Sequence, residues 1–431
     1  MNTYSSYKDS GIEWMGNIPE SWELTKNRFG FLKHKNGLNE SDDTNVLSLT
    51  TTGVKVKRDL NFGKSSESYI GHQLVEQGDI VFTPRDFDQT PILSDVSKYE
   101  GCISNLYIVD KTKENVLNRY VNYYWYGLKY SVDYFKNFSH GMRYSFNRFQ
   151  FDEIPLLIPS LREQQQISDY LDYKTSKIDI LIEKTQQKIE LLKEQRTSLI
   201  NTTVTKGLNP NVEMKDSRVE WIGEIPSEWE VVKLKFVGKV VIGLSYSPDN
   251  VVDEGEGTLV MRSTNVQNGK PSFHNNVYVN KDIPDRMVTR EGDILICSRN
   301  GSRNLIGKNC IISKDIEGMT FGVFMTIFRS KYWKLIYWVL NSPVFKSQSG
   351  LYLTSTINQL TVSTIKNLTI PFTFNEREQQ QIVDYLDKET SRIDKLVDIE
   401  SKRIYLLKEY RQSLISEVVT GKVDVRDEVL V

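Results

Sequence analysis

Residues 162–179 read REQQQISDYLDYKTSKID, and residues 377–394 read REQQQIVDYLDKETSRID. Fourteen of the eighteen positions are identical across a separation of 215 residues. The echo is wider than this phrase. YKDSGIEWMGNIPESWE at 7–23 returns as MKDSRVEWIGEIPSEWE at 214–230, EQGDIVFTPRD at 76–86 as REGDILICSRN at 290–300, and KEQRTSLI at 193–200 as KEYRQSLI at 408–415. The chain is thus one unit written twice in tandem: an opening motif, a variable middle and a long polar–apolar segment. The middles match poorly, and LTTTGVKVKRDLNFGKSSE has no clear partner in the second copy. Matched ends around divergent middles suggest a shared frame that carries different payloads.

The matched ends read as long helices. Neither 161–206 nor 376–420 contains Gly or Pro. Ser160 with Glu163, and Asn375 with Glu378, have capping-box spacing at the two starts. Gly207 and Gly421 stand where C-caps stand. Each helix would hold about 45 residues and span roughly 65–70 Å, against a mean of about 11–12 residues, so it needs a partner. The spacing supplies one. Ile178, Ile182, Thr185, Ile189, Leu192, Arg196 and Leu199 step alternately by four and three, and Ile393, Val397, Glu400, Ile404, Leu407, Arg411 and Leu414 repeat that register 215 residues later. This is a heptad seam and predicts an intramolecular coiled coil. The polar members Thr185, Arg196, Glu400 and Arg411 are expected to fix its register. The competing expectation is that each helix packs only on its own globular domain. Between Arg162 and Thr205 seven basic residues balance seven acidic ones, as on solvated faces.

Bulk properties narrow the class. The 431 residues suggest two to four domains, and 39% apolar with 11% aromatic content is enough for real cores. A net charge of −1 argues against a uniformly basic nucleic-acid coat but leaves room for local patches. The three scattered cysteines, Cys102, Cys297 and Cys310, imply no disulfide framework and fit a reducing cytoplasm. The polar N-terminus lacks a signal-peptide core, and no apolar run approaches the ~20 residues of a membrane span.

The middles read as mixed α and β. Gly78-Asp79 and Gly292-Asp293 look like turns before the strands 80–82 and 294–296. CISNLYIV at 102–109 and GTLVM at 257–261 look like strands, and the aromatic-rich stretches 118–135 and 331–345 like amphipathic helices. Catalytic signatures fail on inspection. GSRNLIGK at 301–308 has five residues between its glycines, and Asn309 replaces the Ser/Thr of a phosphate loop. NSPVF at 341–345 has the wrong residues for an amino-methyltransferase motif, and GEG at 255–257 lacks the third glycine of a dinucleotide fingerprint. His34, His72, His140 and His274 are too dispersed for a metal site.

Nucleic-acid chemistry is better served. Phosphate contacts need Lys, Arg and backbone N–H groups, and base readout needs Arg, Asn, Gln, Ser and Thr on positioned loops. Strand 80–82 runs into Thr83-Pro84-Arg85-Asp86, and strand 294–296 into Cys297-Ser298-Arg299-Asn300, so Arg85 and Arg299 recur at one offset. The second loop continues through Gly301, Arg303, Asn304 and Lys308, whereas the first has no glycine. A second pair of donor-rich loops, 141–148 and 350–359, precedes the long helices. The candidate DNA-contacting residues are Arg85, Arg143, Tyr144, Arg148, Arg299, Asn300, Arg303, Asn304, Lys308, Thr354 and Ser355. The bland alternative is a set of solvated loops with ordinary arginines. Trp14, Trp22, Trp221 and Trp229, with Pro19 and Pro226, read as structural anchors.

The (I/V)EW(M/I)G(N/E)IP..WE opening, the GDI strand, the REQQQI..YLD..T..ID helix and their tandem duplication resemble the DNA-specificity subunit of type I restriction–modification systems, across 7–425. The resemblance implies an α+β chain. Two globular mixed α/β target recognition domains stand in tandem, separated by two long helices that form an antiparallel intramolecular coiled coil with pseudo-two-fold symmetry. Its divisions would be 1–158 (first recognition domain), 159–208 (first long helix), 209–372 (second recognition domain), 373–425 (second long helix) and a tail, 426–431. The resemblance also implies a non-catalytic, cytoplasmic subunit of a phage-defence complex. That subunit reads a bipartite, asymmetric double-stranded DNA site and directs adenine methylation or restriction by its partners. Two methyltransferase subunits and two motor–nuclease subunits are expected as partners, with S-adenosylmethionine, ATP and magnesium on them and no cofactor or metal on this chain. The antiparallel sense rests on the resemblance, since parallel helices satisfy the seam equally. Two other readings stay open on the residues alone. One is a coiled-coil protein adaptor without a DNA role, and the other is a self-contained methyltransferase or nuclease.

Overall fold

The computed structural model describes residues 2–33, 37–58, 68–85, 92–132, 134–135, 145, 147–351 and 358–428. The chain divides into two compact units, Met1–Gln186 with Ser401–Val431, and Gln187–Glu400. This division runs through the middle of both long helices, Leu161–Lys206 and Glu376–Val419, so each unit owns half of each.

The central sheet of each unit repeats the other strand for strand, although outside the echoed strands 80–82 and 294–297 the sequences there barely match. In the first unit the order is Phe31–Lys33, Ile108–Thr112, Ile80–Phe82, Ser94–Val96, all antiparallel. In the second it is Lys239–Ile242, Met325–Arg329, Ile294–Cys297, Asn309–Ile311, again antiparallel. The glycines before the inner strands do turn the chain, with φ of +93° at Gly78 and +82° at Gly292. The strands Ile80–Phe82 and Ile294–Cys297 are unbroken apolar runs because both their faces are covered. Ile294 and Ile296 pack with the aromatic helix Trp333–Leu340, while Leu295 and Cys297 pack beneath a second sheet with Met261 and Phe321. Likewise Ile80 and Phe82 meet Tyr124 and Trp125, and Val81 meets Leu47 and Ile103.

Two sequence expectations shift here. The stretch 331–345 forms two helices, Trp333–Leu340 and Pro343–Leu351, because Pro343 has no N–H to continue the first and instead starts the second. The run 102–109 spans a turn between the strands Gly101–Ile103 and Ile108–Thr112. Among the described residues no helix is long and apolar enough to cross a membrane.

The duplicated opening motif has a physical task. In each unit it forms a hairpin, Tyr7–Asp9 with Asn17–Pro19 and Met214–Asp216 with Glu224–Pro226. The next strand pairs with the strand that leads into a long helix: Glu23–Lys26 with Pro155–Ile158, and Glu230–Lys233 with Thr369–Phe372. The tryptophan at the join is buried, and its indole N–H donates to the third residue of the helix, Trp22 to Glu163 at 3.0 Å and Trp229 to Glu378 at 3.1 Å. The forward half of each predicted capping box forms, with Ser160 and Asn375 accepting from the Glu163 and Glu378 amides at 3.3 Å. The glutamate carboxylates, however, accept from the indoles. The same tryptophans lie beside the C-caps. Gly421, at φ +74°, has no room for a side chain against Pro19 and Trp22, and Gly207, at φ +70°, abuts the Trp229 ring. Each opening motif therefore clasps the start of one long helix to the end of the other.

Within each unit the two helix halves run antiparallel. In the first, Asp179 accepts from Arg411 at 2.9 and 3.3 Å, and Gln166 donates to the Arg426 carbonyl at 3.0 Å. In the second, Asp394 accepts from Arg196 at 2.8 and 3.3 Å, and Glu400 accepts from Lys188 at 2.5 Å. Between Ser176 and Leu199 the residues that are not exposed are Ile178, Ile182, Thr185, Ile189, Leu192, Arg196 and Leu199, the heptad positions. In 391–411 they are Ile393, Val397, Glu400, Ile404, Leu407 and Arg411, joined by Leu396; beyond them Leu414 is buried. The Thr185 hydroxyl donates back to the Leu181 carbonyl, and Glu400 is buried at 6% exposure with its charge met by Lys188. The Arg196–Asp394 and Arg411–Asp179 pairs are copies of one bridge at the 215-residue offset. Reversing Arg411 to Glu is expected to cost about 0.5–1 kcal/mol, as partly exposed bridges do, and Asp179→Arg on that background should recover it. A denaturation double-mutant cycle with no coupling would remove the register role.

Candidate nucleic-acid interface

In both units the loop after the inner strand meets the loop before the long helix. Arg85 forms an isolated antiparallel bridge with Ser145, and Arg299 forms the same bridge with Gln359, so both partners of the pair recur at an offset of 214 residues. Both arginines are exposed. In the first unit the Thr83 amide donates to the Leu93 carbonyl and the Thr83 hydroxyl to the Arg85 carbonyl. Arg143, Tyr144, Thr354 and Ser355 lie outside the described residues.

The second unit shows how such a loop is built. The amides of Ser298 and Arg299 both donate to the Phe324 carbonyl at 3.0 Å, and the Leu360 amide donates to the Ser298 carbonyl at 2.8 Å. The Asn358 side-chain amide donates to the Gly301 carbonyl at 3.1 Å. The Arg299 guanidinium lies over the Phe324 ring, 5.1 Å from its centroid, which holds the side chain out without neutralising it. Phe324 itself is 53% exposed, so the stacked pair faces solvent. A Cβ at Gly301 would meet open space, so this stretch of backbone is approachable. Arg303 and Asn304 are exposed on a short 3-10 turn, Arg303–Leu305, with Arg303 making one long hydrogen bond, 3.4 Å, to the Gly350 carbonyl.

Two of the sequence candidates face inward. The Arg148 guanidinium grips both oxygens of buried Asp110 at 2.7 Å and donates from Nε to Asp152 at 2.9 Å. Burial pushes that guanidinium's pKa down, yet the Asp110 and Asp152 carboxylates more than offset this and hold it above its ordinary value. Lys308 Nζ donates to the carbonyls of Ser263 and Val266 at 2.6 and 2.9 Å. Asn300 is divided: its side-chain N–H donates to the Ser263 hydroxyl at 2.9 Å, and its oxygen accepts from the Ser302 amide. Arg148 thus ties the pre-helix loop to the sheet, and Lys308 with Asn300 braces the turn at Ser263–Asn265. A lone Arg or Lys in a polar loop carries no sequence mark of whether a carboxylate or carbonyl awaits it.

The sequence reading missed Arg262, Tyr246 and Phe324. With Arg299, Asn300 and Gln359 they line a cleft of about 1090 Å³ in the second unit. Only the place of Arg262, directly after the predicted strand 257–261, hinted at a loop role. The cysteines are buried, and burial pushes the Cys310 thiol up to about 12, which leaves it protonated and unreactive. Among the described residues no group of three or more His, Cys, Asp or Glu is placed to hold a metal.

The profile of the family described as type I restriction modification DNA specificity domain matches residues 30–191 and 226–410. Among curated proteins, the type I restriction enzyme MjaVIII specificity subunit of Methanocaldococcus jannaschii is 27% identical over 76% of each chain. The putative MjaX specificity subunit of the same organism is 25% identical over 96% of each. Among solved structures, a chain from a study of complex assembly and conformational transition in a type I R-M system aligns with a TM-score of 0.65 at 16% identity, covering 94% of this chain and 99% of that one. The HsdS subunit of Thermoanaerobacter tengcongensis aligns with a TM-score of 0.53 at 15% identity, covering 94% and 98%. At these identities the structural likeness speaks for the fold alone.

Proposed function

Since the chain belongs to the type I restriction–modification DNA specificity family and is by that membership a DNA-specificity subunit, we propose that each unit reads one half of a split double-stranded DNA site. The chain does no chemistry in this reading. Two methyltransferase subunits methylate adenine in the bound site, and two motor–nuclease subunits cut DNA that lacks the mark. S-adenosylmethionine, ATP and magnesium belong to those partners.

The observation that carries the reading is the recurring loop pair. Arg85 opposite Ser145 and Arg299 opposite Gln359 place an exposed guanidinium at one register of two otherwise different surfaces. An arginine fork matches the O6 and N7 acceptors of guanine, while the polar loops beside it suit phosphate and base edges. A protein adaptor would have no need of a solvent-facing arginine at the same site in both copies.

Two experiments test this. Deleting the gene in its host and mapping genome-wide methylation by long-read sequencing should erase one split motif with a fixed gap. Arg299→Ala in the assembled complex should then relax or weaken reading of one half-site by about 1–3 kcal/mol, roughly 5- to 150-fold, and leave the other half-site unchanged. Equal loss at both halves would count against two modular readers.

A further inference from the structure

Resting on that reading, we infer that Arg262 is a specificity-determining residue of the second unit, reading the acceptor edge of one base of its half-site. The strand registers place it. Val46 and Val260 are equivalent, each pairing in parallel with the strand segment at Cys102 or Thr320. Two residues later the first unit has Ser48 and the second Arg262, at the same 214-residue offset as Arg85 and Arg299. Arg262 is therefore part of the payload that differs between the units and no part of their common frame.

Its surroundings are built to present it. The Arg262 amide is held by the Asn265 side chain at 2.9 Å, and the turn that follows is braced from below by Lys308 and Asn300. Both are among the residues that the sequence offered as DNA contacts. One Nη of the guanidinium donates to the Asn275 carbonyl at 2.5 Å. The Nε is buried, and among the described residues nothing accepts from it. A charged donor withdrawn from water without an acceptor is a demand for one. The Arg262 side chain lines a cleft whose walls also include Arg299, Asn300, Asn358, Gln359, Tyr246 and Phe324. Two guanidiniums, three carboxamides and two aromatic rings suit a ligand that has a polar acceptor edge and flat apolar faces, which describes a nucleobase. A phosphate would use the guanidiniums and leave the rings idle.

The test uses the assembled complex, with Arg262→Lys and Arg262→Ser, the latter installing the residue that the first unit carries. Methylated motifs are read by long-read sequencing, and duplex binding is measured across a salt series. Both variants should keep the split motif and its gap. Both should also become degenerate at one position of the half-site read by the second unit, with discrimination there falling roughly tenfold or more. If lysine preserves the motif while serine weakens binding to all sequences and lowers the salt slope by about one, Arg262 is a phosphate contact and the inference is overturned. An unchanged motif in both variants overturns it too. Should the serine variant fail to fold, judged by its melting curve, the lysine variant decides alone, since it keeps the charge and loses only the fork. The wild-type complex separates this inference from its premise. If wild type marks no split motif, the reading of the whole chain falls; if it marks one that both variants keep, only the assignment of Arg262 falls.

Discussion

Truncating Trp22 to alanine is expected to cost about 3–5 kcal/mol and to loosen the ends of both long helices within the first unit. The side chain is fully buried, touches Tyr4, and sits against the C-cap at Gly421. Its loss leaves a cavity and also strips the Glu163 carboxylate, 5% exposed, of its indole donor. Trp229→Ala should do the same in the second unit through Glu378 and Gly207. Hydrogen exchange separates the two. Trp22→Ala should release 161–175 and 412–420, and Trp229→Ala should release 376–390 and 200–206. Trp22→Phe, which keeps most of the volume and loses the N–H, should recover more than half of the destabilisation. A loss under about 1 kcal/mol, or the same exchange pattern from both variants, would contradict the clasp.

Arg148→Ala should lower stability by about 2–4 kcal/mol and leave base discrimination intact in whatever fraction stays folded. Removing one partner of a buried ion pair strands the other, and Asp110 is 1% exposed. The loss stays toward the lower end for a buried pair because the Arg148 side chain is 36% exposed and partly screened. Arg148→Ala combined with Asp110→Ala should be milder than Arg148→Ala alone, since no buried carboxylate is then left unpaired. The opposite pattern, normal melting with a degenerate half-site, would return Arg148 to the DNA interface. Together with the Arg299 result, this pair of measurements separates arginines that read from arginines that hold.

The amino-acid sequence by itself determined whatever depends on periodicity. The duplication, the two helices, their caps at Gly207 and Gly421, and the seam from Ile178 to Leu199 with its copy are all local or strictly repeating patterns. A heptad constrains every third or fourth residue in the same way, so the pattern survives without knowledge of the partner. The strands 80–82 and 294–297 were legible too, because burial on both faces leaves an unbroken apolar run. The matching sheets within the divergent middles were not. Strand order depends on pairings between segments far apart in the chain, and many apolar sequences satisfy one backbone register.

The tertiary structure decided which polar side chains are free. Arg85, Arg148, Arg299 and Lys308 look alike in sequence: basic residues in loops beside strands. Asp110 captures Arg148, the carbonyls of Ser263 and Val266 capture Lys308, and Phe324 holds Arg299 outward. Arg262 gained its place only when the fold, with the following turn braced by Lys308 and Asn300, brought it to the wall of the cleft that Arg299 also lines. The reason is physical. A charge's task is set by what lies within about 4 Å of it, and for these residues nearly every such neighbour is distant in sequence.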